Sequence, residues 1–170
     1  MQQGLIHVYY GDGKGKTTAA MGLALRALGA QMQVTVMQFL KNRPSGEVEM
    51  LRRCGATVLR GQANDKFVFQ MDEAERAQTA HIHEDNFRAA THSGCDLLVL
   101  DEALSAVSVG VFSQEALLEF LRGKPSNMEV VITGHAPLPD VVALADYVTH
   151  MTCERHPYQR GVQARRGIEY

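Results

Sequence analysis

The chain has 170 residues, 45% hydrophobic and 21% charged, with a formal net charge of -2. That length and apolar content suit one globular domain with a full core, and the small net charge favours neither a nucleic-acid nor an anionic-membrane partner. No apolar run reaches the ~18 residues of a membrane span. The opening Met1-Gln2-Gln3-Gly4 carries no basic or apolar signal-like region. Cys54, Cys95 and Cys153 are too widely spaced for a disulfide framework or a paired metal site, so they read as isolated thiols. These features set a cytoplasmic location as the expectation.

In chain order, Leu5-Ile6-His7-Val8-Tyr9-Tyr10 is a short β-rich run that ends in glycines. Residues 17–28 are rich in Ala, Leu and Met and read as a helix stopped by Gly29. Residues 34–39 form a second strand, followed by a polar turn over 42–46, a short helix over 47–53 closed by Gly55, and a strand over 56–59. The longest helix is expected over 72–90, where Asp72 and Glu75 have the spacing of a capping box. Leu97-Leu98-Val99-Leu100 is a wholly apolar strand that runs into Asp101-Glu102. Ser113 caps a helix to Arg122. Residues 130–133 and 147–149 are the last strands, with a helix over 139–145 between them.

About six strands alternate with helices, and the apolar runs lack the polar alternation of a half-exposed sheet. The expected fold class is therefore α/β, with mostly parallel strands sandwiched by helices. No repeat or linker divides the chain, so residues 1–170 read as one domain, with 154–170 as an extension lacking periodicity.

Gly11-Asp12-Gly13-Lys14-Gly15-Lys16-Thr17-Thr18 lies between a strand and a helix, the context of a phosphate-binding P-loop. Glycines let backbone N–H groups turn inward on phosphate oxygens, and the helix N-terminus adds a favourable field. Lys16 would neutralise phosphate charge and the Thr17 hydroxyl would ligate Mg²⁺. The usual spacing places a glycine where this chain has Tyr10, so the loop is a variant. Asp101-Glu102 resembles a Walker B element, with a carboxylate placed to hold Mg²⁺ directly or through water.

These residues resemble a narrower group. Residues 11–20, GDGKGKTTAA, are similar to the G-N-G-K-G-K-T-T-A-A loop of the ATP:corrinoid adenosyltransferases of the single-P-loop type, which also lack the first Walker glycine. Gln38-Phe39-Leu40-Lys41 resembles that family's Q-F-(I/L)-K, Leu100-Asp101-Glu102 its L-D-E, and Ile132-Thr133-Gly134-His135 its T-G-R. The ending from His156-Pro157-Tyr158 to Gly167-Ile168-Glu169-Tyr170 resembles its H-P-Y…G-I-E-Y tail, which ordinary P-loop NTPases do not carry.

The resemblance implies a RecA-like P-loop NTPase fold, usually a homodimer, that transfers the 5′-deoxyadenosyl group of ATP to Co(I) of a corrinoid and releases triphosphate. Adenosylcobalamin synthesis or salvage is the setting, with a flavoprotein reductant as partner. The family holds the triphosphate reversed in its loop, which leaves C5′ exposed to the cobalt. Carried over residue by residue, Gly11, Asp12, Gly13, Lys14, Gly15, Lys16, Thr17 and Thr18 contact the triphosphate. Thr17 and Glu102 serve Mg²⁺ with Asp101 beside them, making Lys16, Thr17 and Glu102 the catalytic group. Arg26 matches an arginine that reaches ATP beyond the phosphates, or else is a solvated helix charge. Lys41 and His135 are further ATP contacts.

On the corrinoid side, Phe67-Val68-Phe69 resembles an F-T-W segment whose aromatics lie under the corrin and help expel its lower axial ligand. Phe69 stands where the family has tryptophan, and the chain contains none. The alternative is a short strand with two core aromatics. Asp12 for asparagine, His135 for arginine and Arg155 for lysine are other departures. The seven histidines form no metal-ligand spacing, and His81 and His83 do not share a helix face. Two other functions stay open on the residues alone: a P-loop kinase or NTPase that cleaves a phosphoanhydride, and a non-catalytic nucleotide or corrinoid carrier.

Overall fold

A computed structural model describes residues 3–169. Met1, Gln2 and Tyr170, and with them the end of the tail motif, lie outside the described residues. Six strands, β1 (Ile6–Tyr10), β2 (Val34–Gln38), β3 (Thr57–Arg60), β4 (Leu97–Asp101), β5 (Glu129–Gly134) and β6 (Tyr147–His150), form one sheet in the order β3-β2-β4-β5-β1-β6. Every strand pair is parallel. Six helices accompany them: α1 (Lys16–Gly29), α2 (Gly46–Arg53), α3 (Glu73–Thr91), α4 (Ala103–Ser108), α5 (Gln114–Gly123) and α6 (Pro139–Leu144). This is the α/β fold expected, and it is consistent with the P-loop NTPase type.

β2 and β4 are buried at all five positions each, as strands covered on both faces must be. One core layer packs Val36, Val99 and Val131 against Ala20 and Ala24 of α1. The other packs Val8, Leu98, Leu100 and Ile132 against α3, α4 and α5 through Phe87, Leu104 and Leu117. Because α1 meets the sheet through alanines, its axis lies close to the strands, and its first turn with Lys16 and Thr17 stays at their carboxyl ends. β6 differs from the other strands. All four of its residues are exposed, since it closes one edge of the sheet.

Asp72 caps α3 as the spacing indicates. Its side chain accepts the Glu75 N–H at 2.9 Å, and the Glu75 carboxylate accepts the Asp72 N–H at 3.0 Å. Ser113 likewise caps α5 by accepting the Ala116 N–H at 3.2 Å. Helix α4 is not among the expected elements, and the strand alternative for 67–69 is not what forms. Helix α4 follows β4 with no loop, because Glu102 turns the chain at φ +64 without a glycine to announce it. The segment 67–69 is not a strand with buried aromatics: Val68 begins a 3-10 turn (Val68–Gln70) and is buried, while both phenylalanines face out. Among the described residues no helix is long and apolar enough to cross a membrane.

His83 of α3 is fully buried in the core beside Phe39. Its Nε2 accepts the Leu40 N–H and its Nδ1 faces the Val111 carbonyl, both at 3.3 Å, so the proton belongs on Nδ1. Burial first, opposed by the backbone bonds to Val111 and Gly61, holds its pKa below 6.5. The unfolded chain therefore takes up a proton that the folded chain refuses. Stability is unaffected above pH ~6.5 and falls as pH drops below it, by at most about 1.4 kcal/mol per pH unit. Denaturant midpoints measured from pH 7.5 to 5.5 should fall more steeply for the wild type than for His83→Gln; parallel curves would contradict the assignment.

Candidate nucleotide and corrinoid site

The carboxyl ends of the strands converge on one large cavity of about 1440 Å³. Its lining combines the loop residues Asp12–Thr18, the segment 40–47 after β2, Glu102 after β4 and the 65–69 segment that carries the exposed aromatics. Gly167, Ile168 and Glu169 of the tail complete one wall, and Lys14 Nζ donates to the Ile168 carbonyl at 3.4 Å.

The loop after β1 is pressed against the chain that leaves β6. Gly11 N–H donates to the His135 carbonyl at 2.9 Å and Gly13 N–H to the Met151 carbonyl at 2.8 Å. A Cβ on Gly11, which has φ +126, would lie 2.1 Å from the Met151 oxygen, and one on Gly13 would lie 2.7 Å from the Thr152 oxygen. Both glycines are thus fixed by close backbone approach, whatever the loop binds. Asp12 ties the same strap by accepting the Cys153 N–H at 3.1 Å. Tyr10, where a Walker loop has glycine, stacks on His150 of β6 with ring centroids 4.6 Å apart. The variant position therefore has a packing reason.

Asp101 is the hub of the site and is fully buried. Its Oδ1 accepts the hydroxyls of Thr17 and Thr133 at 2.9 and 2.8 Å. Its Oδ2 accepts Lys41 Nζ at 2.6 Å and Gln38 Nε2 at 3.2 Å. Thr133 also accepts the Glu102 N–H at 2.9 Å, which fixes the left-handed turn and aims the chain into α4. Glu102 is half-buried and lines the cavity. Lys16 Nζ donates to the Gly13 carbonyl at 2.7 Å, so the ammonium lies against its own loop.

Phe67 and Phe69 are 67% and 81% exposed and stack with ring centroids 5.6 Å apart. Two adjacent exposed phenylalanines on a cavity wall mark an apolar contact surface. They are held from behind, because Val68 is buried and Arg76 of α3 donates to the Val68 carbonyl at 3.3 Å and the Val109 carbonyl at 2.7 Å. Lys66 pairs with Glu75 at 2.5 Å, and Asn42 donates to Asp65 at 3.1 Å, joining the two loops that flank the cavity.

The structure thus brings Asp12 through Thr18, Lys41, Glu102, Phe67 and Phe69 around one space, with Asp101 buried behind it. Gly11 lies beneath the loop. Arg26 is exposed on α1 one position round from Leu25, which does line the cavity. His135 contributes backbone bonds to Gly11 and Ser105, while its side chain lies outside the lining. Gln38 and Thr133 join the site as partners of Asp101, and the signal for them in the sequence is a polar residue near the end of an apolar strand. Arg60, which ends β3 and also lines the cavity, carried no signal. Among the described residues no three His, Cys, Asp or Glu side chains cluster as a metal site.

A parallel sheet with a glycine-rich loop between its first strand and helix, and an acidic pair at the end of β4, one strand removed from β1, defines an α/β protein consistent with the P-loop NTPase type. A family model described as "ATP:corrinoid adenosyltransferase BtuR/CobO/CobP" matches residues 2–170. The chain is 34% identical over 170 residues to the corrinoid adenosyltransferase CobA of Salmonella typhimurium, covering 99% of this chain and 87% of that protein. It is 33% identical over 170 residues to the corrinoid adenosyltransferase of Escherichia coli strain K12, with the same coverage. The corrinoid adenosyltransferase of Pseudomonas aeruginosa is 30% identical over 172 residues, covering 99% of this chain and 85% of that one. The chain belongs to the ATP:corrinoid adenosyltransferase family, a family of transferases.

Proposed function

We propose that the cavity holds ATP and a corrinoid together, with the triphosphate in the 12–18 loop and the corrin against Phe67 and Phe69. The observation that supports this best is the continuity of the space. About 1440 Å³ exceeds the ~300–1,000 Å³ of a typical single-ligand pocket, and its polar and aromatic walls lie on different segments of the chain.

The reaction is displacement at carbon. The Co(I) electron pair forms a bond to C5′ of ATP, the C5′–O bond breaks, and that electron pair departs with triphosphate. No proton is transferred, so the protein needs no general base. Its work is to align C5′ with the cobalt and to stabilise the growing charge on the leaving group. Lys14 and Lys16 supply positive charge at the loop. The oxygen donors here suit Mg²⁺: Thr17 and Glu102 would hold it, and the saturated Asp101 orients Thr17 from behind. Bound there, Mg²⁺ supplies Lewis-acid neutralisation of the leaving triphosphate. Phe67 and Phe69 present an apolar surface that excludes water and a lower axial ligand from the cobalt. Losing that ligand raises the Co(II)/Co(I) potential and lets a weak donor such as a flavoprotein deliver the electron.

His135, in place of the family arginine, keeps its side chain outside the lining, so this reading gives it no contact with ATP. A homodimer, which the family resemblance implies, and a cytoplasmic location, which the composition and cysteine spacing favour, are part of this proposal, and sedimentation velocity checks the first. A crystal soaked with ATP, Mg²⁺ and cobalamin tests the site as a whole. The reading expects the triphosphate in the loop with C5′ toward the corrin. An adenine seated on the phenylalanines with no room for a corrin would overturn it.

A further inference from the structure

Lys41 has a place that its role as an ATP contact does not explain. Its ammonium lies 2.6 Å from Asp101 Oδ2 and 3.3 Å from the Thr17 hydroxyl oxygen. Of those two, the Thr17 oxygen is the one assigned to Mg²⁺ above, and Asp101 is the carboxylate that orients it. Each oxygen of the Asp101 carboxylate already accepts two donors, which uses its lone-pair sites. Lys41 is the only one of the four donors that carries charge. It is also 28% exposed and lines the cavity, so it has room to leave. The residue before it is anchored: Leu40 adopts φ +56 and donates its N–H to His83 Nε2.

We propose that Lys41 is a resident counterion that keeps the divalent metal out until the triphosphate brings it in. An ammonium and a divalent cation a few ångströms apart in a half-buried site repel strongly, so they do not share the Thr17 oxygen. Without Lys41, the buried Asp101 charge is uncompensated and a metal ion is the replacement at hand. Metal and nucleotide then bind as a unit. The ammonium released from Asp101 stays at the cavity wall, where phosphate oxygens would meet it. The inference rests on the Mg²⁺ assignment made above.

Mn²⁺ serves as the probe, with the free ion counted by electron paramagnetic resonance on the full chain without nucleotide. Lys41→Met should bind Mn²⁺ about tenfold or more tighter than the wild type. Its thermal midpoint should start lower and recover with Mn²⁺ alone, while the wild-type midpoint stays fixed. Lys41→Arg, which keeps the charge, should exclude Mn²⁺ as the wild type does. Equal Mn²⁺ affinity in wild type and Lys41→Met, or an arginine variant that behaves like the methionine one, overturns the proposal. Should Lys41→Met fail to fold, Lys41→Gln carries the same comparison, because it removes the charge and keeps a donor. Wild-type Mn²⁺ uptake with ATP is a separate arm: failure there removes the metal assignment whatever Lys41 does.

Discussion

Lys16→Ala is expected to lower ATP affinity and adenosyl transfer by about 10²–10³-fold while leaving the fold intact. The magnitude follows from removing one preorganised charged contact in a partly dehydrated site, about 2.7–4 kcal/mol. The fold should survive because the ammonium's hydrogen bond is to its own loop, at Gly13, rather than to the core. The loop itself is braced independently by Gly11 on His135 and Gly13 on Met151. Titration calorimetry with ATP, beside a thermal melt, separates the two effects. ATP affinity unchanged in a folded variant would remove Lys16 from the phosphate site.

The second large effect is selective. Phe69→Ala should slow adenosylation that starts from Co(II) and a weak reductant by about 30-fold, the equivalent of about 2 kcal/mol of aromatic burial against the corrin. With chemically prereduced Co(I), the same variant should keep most of its rate. At 81% exposure the side chain contributes little to folding, so a general loss of stability is not expected to mask the result. Equal losses with both cobalt states would contradict the role given to Phe69.

The glycine-rich loop between β1 and α1 could be read from the sequence because its residues are contiguous and their spacing between strand and helix is itself the geometry. The acidic pair at 101–102 was readable for the same reason. What joins them was not. Asp101 is held by Gln38, Lys41, Thr17 and Thr133, from β2, the loop after it, α1 and β5, and only strand order brings those together. Tyr10 looked like a missing glycine, and its partner His150 is far along the chain.

For the 67–69 segment, the alternative of a strand with two core aromatics is the reading that fails. Alternation Phe-Val-Phe fits a strand with either face inward, and local pattern does not say which. Arg76, which clamps Val68 inward, is on the next helix. Helix α4 escaped because a non-glycine residue, Glu102, makes the left-handed turn before it. Its hydrogen bond to Thr133 stabilises that turn and is again a contact between strands distant in sequence.

The central claim is that the bond broken lies at C5′, with the whole triphosphate as leaving group. Phosphorus NMR of the products formed from ATP, Mg²⁺ and chemically reduced cobalamin tests it directly. The account predicts inorganic triphosphate released one for one with a cobalt–carbon product seen by its visible spectrum. ADP or free phosphate as the primary product, with no cobalt–carbon species, would contradict it and return the protein to phosphoanhydride chemistry.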